Sequence, residues 1–202
     1  MLEYFMEIDY VSVFIFTFVT TYTPGPNTIS SAMMGIQVGY RRSFPYFLGI
    51  ATGFFSIMLL GGLFASLLLR VLPEVMQVFS YVGAAYILYL AYRVLHADYA
   101  LSEQSTKLLG YKDGLLLQLF NPKVLVLALT IYTTFLGSMD RSIPALFLSA
   151  LFLTTMSFSA ISLWASFGAA FSHLLTSQKT RRLVNGLLAL LLVYSAITLV
   201  VG

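Results

Sequence analysis

The chain has 202 residues, of which 59% are hydrophobic and 9% charged, with a net charge of +3 at pH 7. Soluble domains carry about 25% charged residues, so this composition, with a mean hydropathy of +0.88, excludes an ordinary water-soluble domain and points to a chain dissolved in lipid. A membrane span takes roughly 20 residues, so the expected content is about six crossings with short connections and no soluble catalytic head. The lack of cysteine excludes disulfides, thiol nucleophiles and thiolate metal sites. The two histidines, His96 and His173, stand too far apart for a helical metal pair. The eleven Lys and Arg are scattered between apolar runs, not gathered into the basic stripe that nucleic acid requires.

Six stretches are long and apolar enough to cross a bilayer: 10–38, 44–69, 75–95, 114–136, 143–167 and 183–201. Hydrocarbon offers backbone groups no partner, and the two-residue alternation of a barrel strand is absent, so each is expected to be helical. The expected fold is all-α, a polytopic membrane protein with six transmembrane helices in a single domain, 1–202. The connections are expected at Arg41-Arg42, at 70–74 around Pro73, and at 97–113, 137–141 and 173–182.

On alternate sides of such a bundle, Arg41, Arg42, Arg93, Lys107, Lys112, Lys179, Arg181 and Arg182 fall together, against Arg70 and Arg141 opposite. Basic loops stay in the cytoplasm, so both termini are expected outside. Glu3, Glu7 and Asp9 near the start agree with this and argue against a cleaved signal peptide, whose first region is basic.

The first apolar region, at 29 residues, would be about 43 Å long as one straight helix. It is interrupted near its middle by Thr23-Pro24-Gly25-Pro26-Asn27. Two prolines remove two backbone donors and bracket a glycine, so the helix must bend or unwind there. Backbone groups freed at membrane depth must face protein or a water-filled cavity. Thr20, Thr21, Tyr22, Thr23 and Asn27 surround the break with hydroxyl and amide groups. A proline kink satisfied by threonine hydroxyls is the plainer alternative.

The fourth region carries a second interruption, Asn121-Pro122-Lys123. An ammonium inside a span costs a few kcal/mol unless it reaches water, a carboxylate or carbonyls. Either Lys123 snorkels to the cytoplasmic interface, or with Asn121 and Gln118 it forms the polar floor of a solute path, where a compact cation suits a carboxylate.

The two breaks invite comparison as equivalent positions in inverted three-helix repeats, about 10–96 and 114–202. Thr23-Pro24 and Asn121-Pro122 are offset by 98 residues, while Arg42-Ser43-Phe44-Pro45 and Arg141-Ser142-Ile143-Pro144 are offset by 99. Interrupted helices at matched positions in inverted halves mark the central site of a transporter. Gly35 with Gly39, and Gly49 with Gly53, have the spacing that lets helices approach, within the bundle or across a homodimer face. Tyr81, Tyr86, Tyr89, Tyr92 and Trp164 are expected as interface anchors or bundle packing.

These residues carry a resemblance. Thr23-Pro24-Gly25-Pro26-Asn27, with Gly39-Tyr40-Arg41, Gly49 and Gly53, resembles the amino-terminal signature of the LysE/RhtB family of bacterial amino-acid exporters. The stretch 117–123, ending in Asn121-Pro122-Lys123, resembles that family's second signature, and 83–91 its third-span motif. Within the family, 187–194 and Thr134-Phe135 are most similar to exporters of cysteine and O-acetylserine. The resemblance runs over essentially the whole chain. It implies efflux of small amino acids (of cysteine/O-acetylserine or threonine/homoserine type) across the bacterial inner membrane, driven by antiport with protons and needing no cofactor. It carries Pro24, Gly25, Pro26, Asn27, Asn121, Pro122 and Lys123 over as site or gating residues.

Rival classes remain. A channel needs a continuous polar pore, and the spans supply few polar rings. A membrane enzyme needs a nucleophile with its base or a metal pair, which the spans do not offer. A non-transporting assembly or signalling subunit would use the glycines and prolines for packing alone.

Overall fold

The computed structural model describes residues 8–96, 109–172 and 177–201. Among them the regular structure is helical: α1 Tyr10–Tyr22, α2 Pro26–Leu63, α3 Ala65–Leu95, α4 Tyr111–Leu119, α5 Pro122–Thr130, α6 Ile143–Phe171 and α7 Gln178–Val201. A π-helical turn, Ile131–Phe135, continues α5. Four segments are long and apolar enough to cross a membrane: Pro26–Leu63, Met76–Leu95, Ile143–Phe171 and Arg182–Val201. The α4 and α5 pair, bent by 59°, makes a fifth if taken as one span. The 13 residues of α1 reach about 20 Å, short of the hydrocarbon thickness. Glu3, Glu7, Lys107 and His173, and the connection over 97–108, lie outside the described residues.

Straight, the 38 residues of α2 would measure about 57 Å. Gly39 breaks the helix at φ 77°, ψ 166°, a backbone conformation essentially reserved for glycine. The Tyr46 hydroxyl donates to Ser30 Oγ at 2.8 Å across a separation of 16 residues, about 24 Å along a straight helix. The arms 26–38 and 40–63 therefore fold back on each other. The turn expected at Arg41-Arg42 is Gly39 itself, and both arginines already belong to the second arm.

The loop expected at 70–74 is not a loop. Only Phe64 separates α2 from α3, and α3 runs through Pro73. Arg70 and Glu74 end the apolar run without ending the helix, since charges four residues apart are compatible with helical backbone. Hydropathy marks where lipid stops, and here the helix continues past it.

Glycines allow the closest helix crossings. A Cβ on Gly35 would run into the Ala165 carbonyl, and one on Gly168 into that of Ala32. In the same way Gly49 meets the Tyr111 carbonyl and Gly114 that of Tyr46. The first α2 arm thus lies backbone to backbone on α6, and the second on α4. Gly35, Gly49 and Gly53 serve packing within one chain. Gly39, with no atom within 4 Å of its would-be Cβ, serves the turn.

The core forms two apolar layers. One gathers Ile29, Phe47, Ile50, Leu90, Ile161 and Leu192, and the other Val13, Phe54, Met58, Leu127, Tyr132 and Leu153. Along α6, Leu153 belongs to one layer and Ile161 to the other. Between them stands buried Ser157, the middle residue of the helix. The outer faces of α1, α6 and α7 expose Phe14, Phe18, Phe152, Phe167, Leu190 and Ile197, an apolar girdle that lipid covers without cost.

Candidate functional site

Both interruptions fall at the level between the two layers. At the first, α1 stops at Tyr22, Thr23 turns extended, and α2 restarts at Pro26. As first residue of a helix, Pro26 lacks an N–H that would have had no partner there. Several of the freed backbone groups find partners. Trp164 Nε1 donates to the Tyr22 carbonyl at 3.1 Å, Gly25 N donates to Thr28 Oγ1 at 2.9 Å, and Thr28 Oγ1 donates to the Gly25 carbonyl at 3.1 Å. The Tyr22 hydroxyl also pairs with Ser159 Oγ at 2.7 Å, so α6 holds the loose end of α1 twice. Trp164 is therefore a bundle contact of the broken backbone.

At the second break α4 ends at Leu119 and α5 begins at Pro122, with Asn121 as its N-cap. Asn121 Oδ1 accepts from Lys123 N at 3.2 Å, which satisfies a first-turn donor. The two helix starts match residue for residue: Gly25 and Asn121 cap, Pro26 and Pro122 come first, Asn27 and Lys123 second. This equivalence has an offset of 96 residues, not the 98 read from Pro24 and Pro122. The second expected correspondence also fails, because Ser142 caps α6 whereas Ser43 and Pro45 lie inside the second arm of α2.

The breaks meet through side-chain amides. Asn121 Nδ2 donates to Asn27 Oδ1 at 3.3 Å, and Asn27 Nδ2 donates to Gln118 Oε1 at 2.7 Å. With Lys123 N at its head, this is a chain of three aligned hydrogen bonds ending on Gln118. That side chain is fully buried, and its Nε2 has no partner among the described residues. Lys123 turns inward: its Nζ donates to Thr23 Oγ1 at 3.2 Å and lies 3.5 Å from where a Cβ on Gly25 would stand. Of the two readings of Lys123, the geometry is that of an ammonium brought to the first break.

Two cavities flank this ammonium. A small one, of about 30 Å³, lies toward α1 and α6 with Thr20, Thr21, Thr23, Asn27 and Ser157 in its wall. A larger one, of about 280 Å³, lies toward α3 and α7 and is walled by Ile29, Ile87, Leu191, Ser195, Thr198 and Leu199. Gly25, Pro26, Asn121 and Lys123 line both. Pro24 lines the larger. Gln118 and Pro122 line neither, the first holding Asn27 and the second starting α5. Among the described residues, Lys123 is the one charged side chain in either wall. Two helix N-termini, each worth about half a positive charge, add to it, so the centre is electropositive and suits a carboxylate.

Sequence reasoning missed Ser157 on α6 and Ile87, Ser195 and Thr198 on α3 and α7. No break or charge marks them. The available signal was the spacing of Leu191, Ser195 and Thr198, which places two hydroxyls on one stripe of α7.

The family model for the LysE type translocator matches residues 18–202. A cysteine/O-acetylserine efflux protein of Salmonella choleraesuis is 30% identical over 182 residues, 90% of this chain and 92% of its own. One of Klebsiella pneumoniae is 31% identical over 192 residues, 95% and 97% of the two chains. One of Escherichia coli O1:K1 is 29% identical over 182 residues, 90% and 92%. No solved structure matches. The chain belongs to the LysE family of translocators, and it is a transporter, not an enzyme.

Proposed function

We propose that this protein exports small amino acids or their derivatives from the cytoplasm, with cysteine and O-acetylserine first among the solutes and threonine and homoserine next. The observation that carries the reading is the meeting of two broken helices at Lys123, where two helix N-termini and an ammonium converge on an otherwise neutral site. A solute carboxylate binds there, and its ammonium meets Asn27 and nearby oxygens. The names of the relatives supply the solute class.

Counting α1 with the first arm of α2 as one crossing, and α4 with α5 as another, gives six crossings with both termini on the outer face. The packing favours inverted halves: α3 lies on α7, the second arm of α2 on α4, and α6 on α1 and the first arm of α2. Each half's second helix thus seats against the other half's broken one. Rocking of the halves about the breaks gives alternating access across the bacterial inner membrane. Lys123 is the group we assign to proton exchange in an antiport cycle, being the one charged side chain described in the walls.

The test is purified protein in proteoliposomes under an imposed proton gradient, with labelled cysteine, O-acetylserine, threonine, homoserine and lysine. Gradient-driven accumulation of cysteine or O-acetylserine that Lys123→Ala sharply weakens is the expected result. A folded protein that moves none of the panel refutes the assignment and leaves a non-transporting assembly or signalling subunit.

A further inference from the structure

We infer that the two cavities divide one amino acid between them: the small one takes the α-ammonium, the larger one takes the side chain, and Ser195, Thr198 and Ile87 determine specificity. This rests on the exporter reading above. A bound carboxylate at Lys123 and the two helix starts leaves the α-carbon at the boundary of both cavities, because Gly25, Pro26, Asn121 and Lys123 belong to both walls. The small cavity offers about 30 Å³ against about 280 Å³ for the larger one, so the compact ammonium goes to the first and the bulkier side chain to the second. The hydroxyls of the small cavity are set to accept. Thr21 Oγ1 donates to the Thr17 carbonyl at 2.8 Å and Thr23 Oγ1 to the Thr20 carbonyl at 3.1 Å, so each proton is spent on backbone and both oxygens can accept, Thr23 already from Lys123 Nζ.

The larger cavity, about 280 Å³, has room for the rest of the solute. Away from Asn121 and Lys123 its wall is apolar apart from three α7 hydroxyls, those of Tyr194, Ser195 and Thr198. Ser195 Oγ donates to the Leu191 carbonyl at 2.9 Å and Thr198 Oγ1 to the Ser195 carbonyl at 3.1 Å, so these too present lone pairs. Such a wall takes a neutral side chain, and best one bearing a weak donor such as a hydroxyl or thiol. Among the described residues no carboxylate lines it to pair a cationic side chain. The solute class is thus a neutral amino acid, with a lysine-like one rejected for want of a counter-charge.

The test uses proteoliposomes and competition by unlabelled glycine, alanine, serine, cysteine, methionine and lysine against labelled cysteine. Ser195→Leu fills the side-chain cavity and is expected to weaken methionine relative to glycine by about tenfold. Ser195→Ala and Thr198→Val remove acceptors at nearly constant volume and are expected to narrow the preference for serine over alanine. Thr21→Val is expected to weaken all competitors alike, because all share the ammonium. Unchanged rank order in the Ser195 and Thr198 variants, while cysteine still moves, overturns the side-chain assignment alone. Should Ser195→Leu move nothing, Ser195→Ala and Thr198→Val decide. A wild-type protein that moves no amino acid overturns both this inference and the exporter reading.

Discussion

Lys123 is kept inside the bundle by what surrounds it: a threonine hydroxyl at 3.2 Å, a glycine that leaves its ammonium room beside the backbone, and an asparagine that caps its own helix. Lys123→Ala removes the one charged donor described in the walls. We expect KM for cysteine to rise about ten- to hundredfold, the range of a hydrogen bond to a charged group, measured by initial rates in proteoliposomes. Lys123→Arg keeps the charge but scarcely deprotonates at working pH, so transport that survives is expected to lose its pH dependence; an unchanged pH profile would remove Lys123 from the proton path. Asn27 and Gln118 act as one unit through their 2.7 Å bond. A double-mutant cycle of Asn27→Ala and Gln118→Ala, read by unfolding in mixed micelles, is expected to show coupling of about 0.5–3 kcal/mol.

Among the elements, the breaks were legible because proline and glycine act on the backbone directly: Pro24, Pro26 and Pro122 interrupt the helices where their chemistry requires. Other boundaries were not, because apolar length reports contact with lipid and not backbone shape. The run that ends at Arg70 continues as helix through Pro73, and the reversal between the two arms of α2 is one residue, Gly39, and not the arginine pair beside it. Gly39→Ala is expected to cost about 1–3 kcal/mol, the strain of a side chain at such a φ and ψ, seen as a lower thermal midpoint in detergent. Gly49→Ala pushes a methyl into the Tyr111 carbonyl and is expected to destabilise by about 1–3 kcal/mol through overpacking of α2 on α4. The offsets read from short motifs do not match the helix starts, where Pro26 and Pro122, and not Pro24, hold the same first position. The correspondence of the two helix starts stands on capping geometry that sequence does not display.

Over the whole molecule, two apolar layers hold a thin polar level between them, and the proposed site residues come from distant parts of the chain to reach it: Thr21 from α1, Asn27 from α2, Lys123 from α5, Ser157 from α6 and Ser195 from α7. Such convergence is invisible to any local reading, which is why the first and fourth regions yielded their site residues and the last two did not. The natural absence of cysteine makes the meeting point directly accessible to experiment. The decisive measurement is the rate at which a maleimide labels Thr21→Cys and Ser195→Cys, each as a single cysteine in reconstituted protein, with and without saturating O-acetylserine, which carries no thiol. Binding where the two breaks meet predicts that both positions are slowed by the solute, and that adding Lys123→Ala removes the protection. Labelling rates that the solute leaves unchanged at both positions, in a protein that transports it, would place the binding site elsewhere.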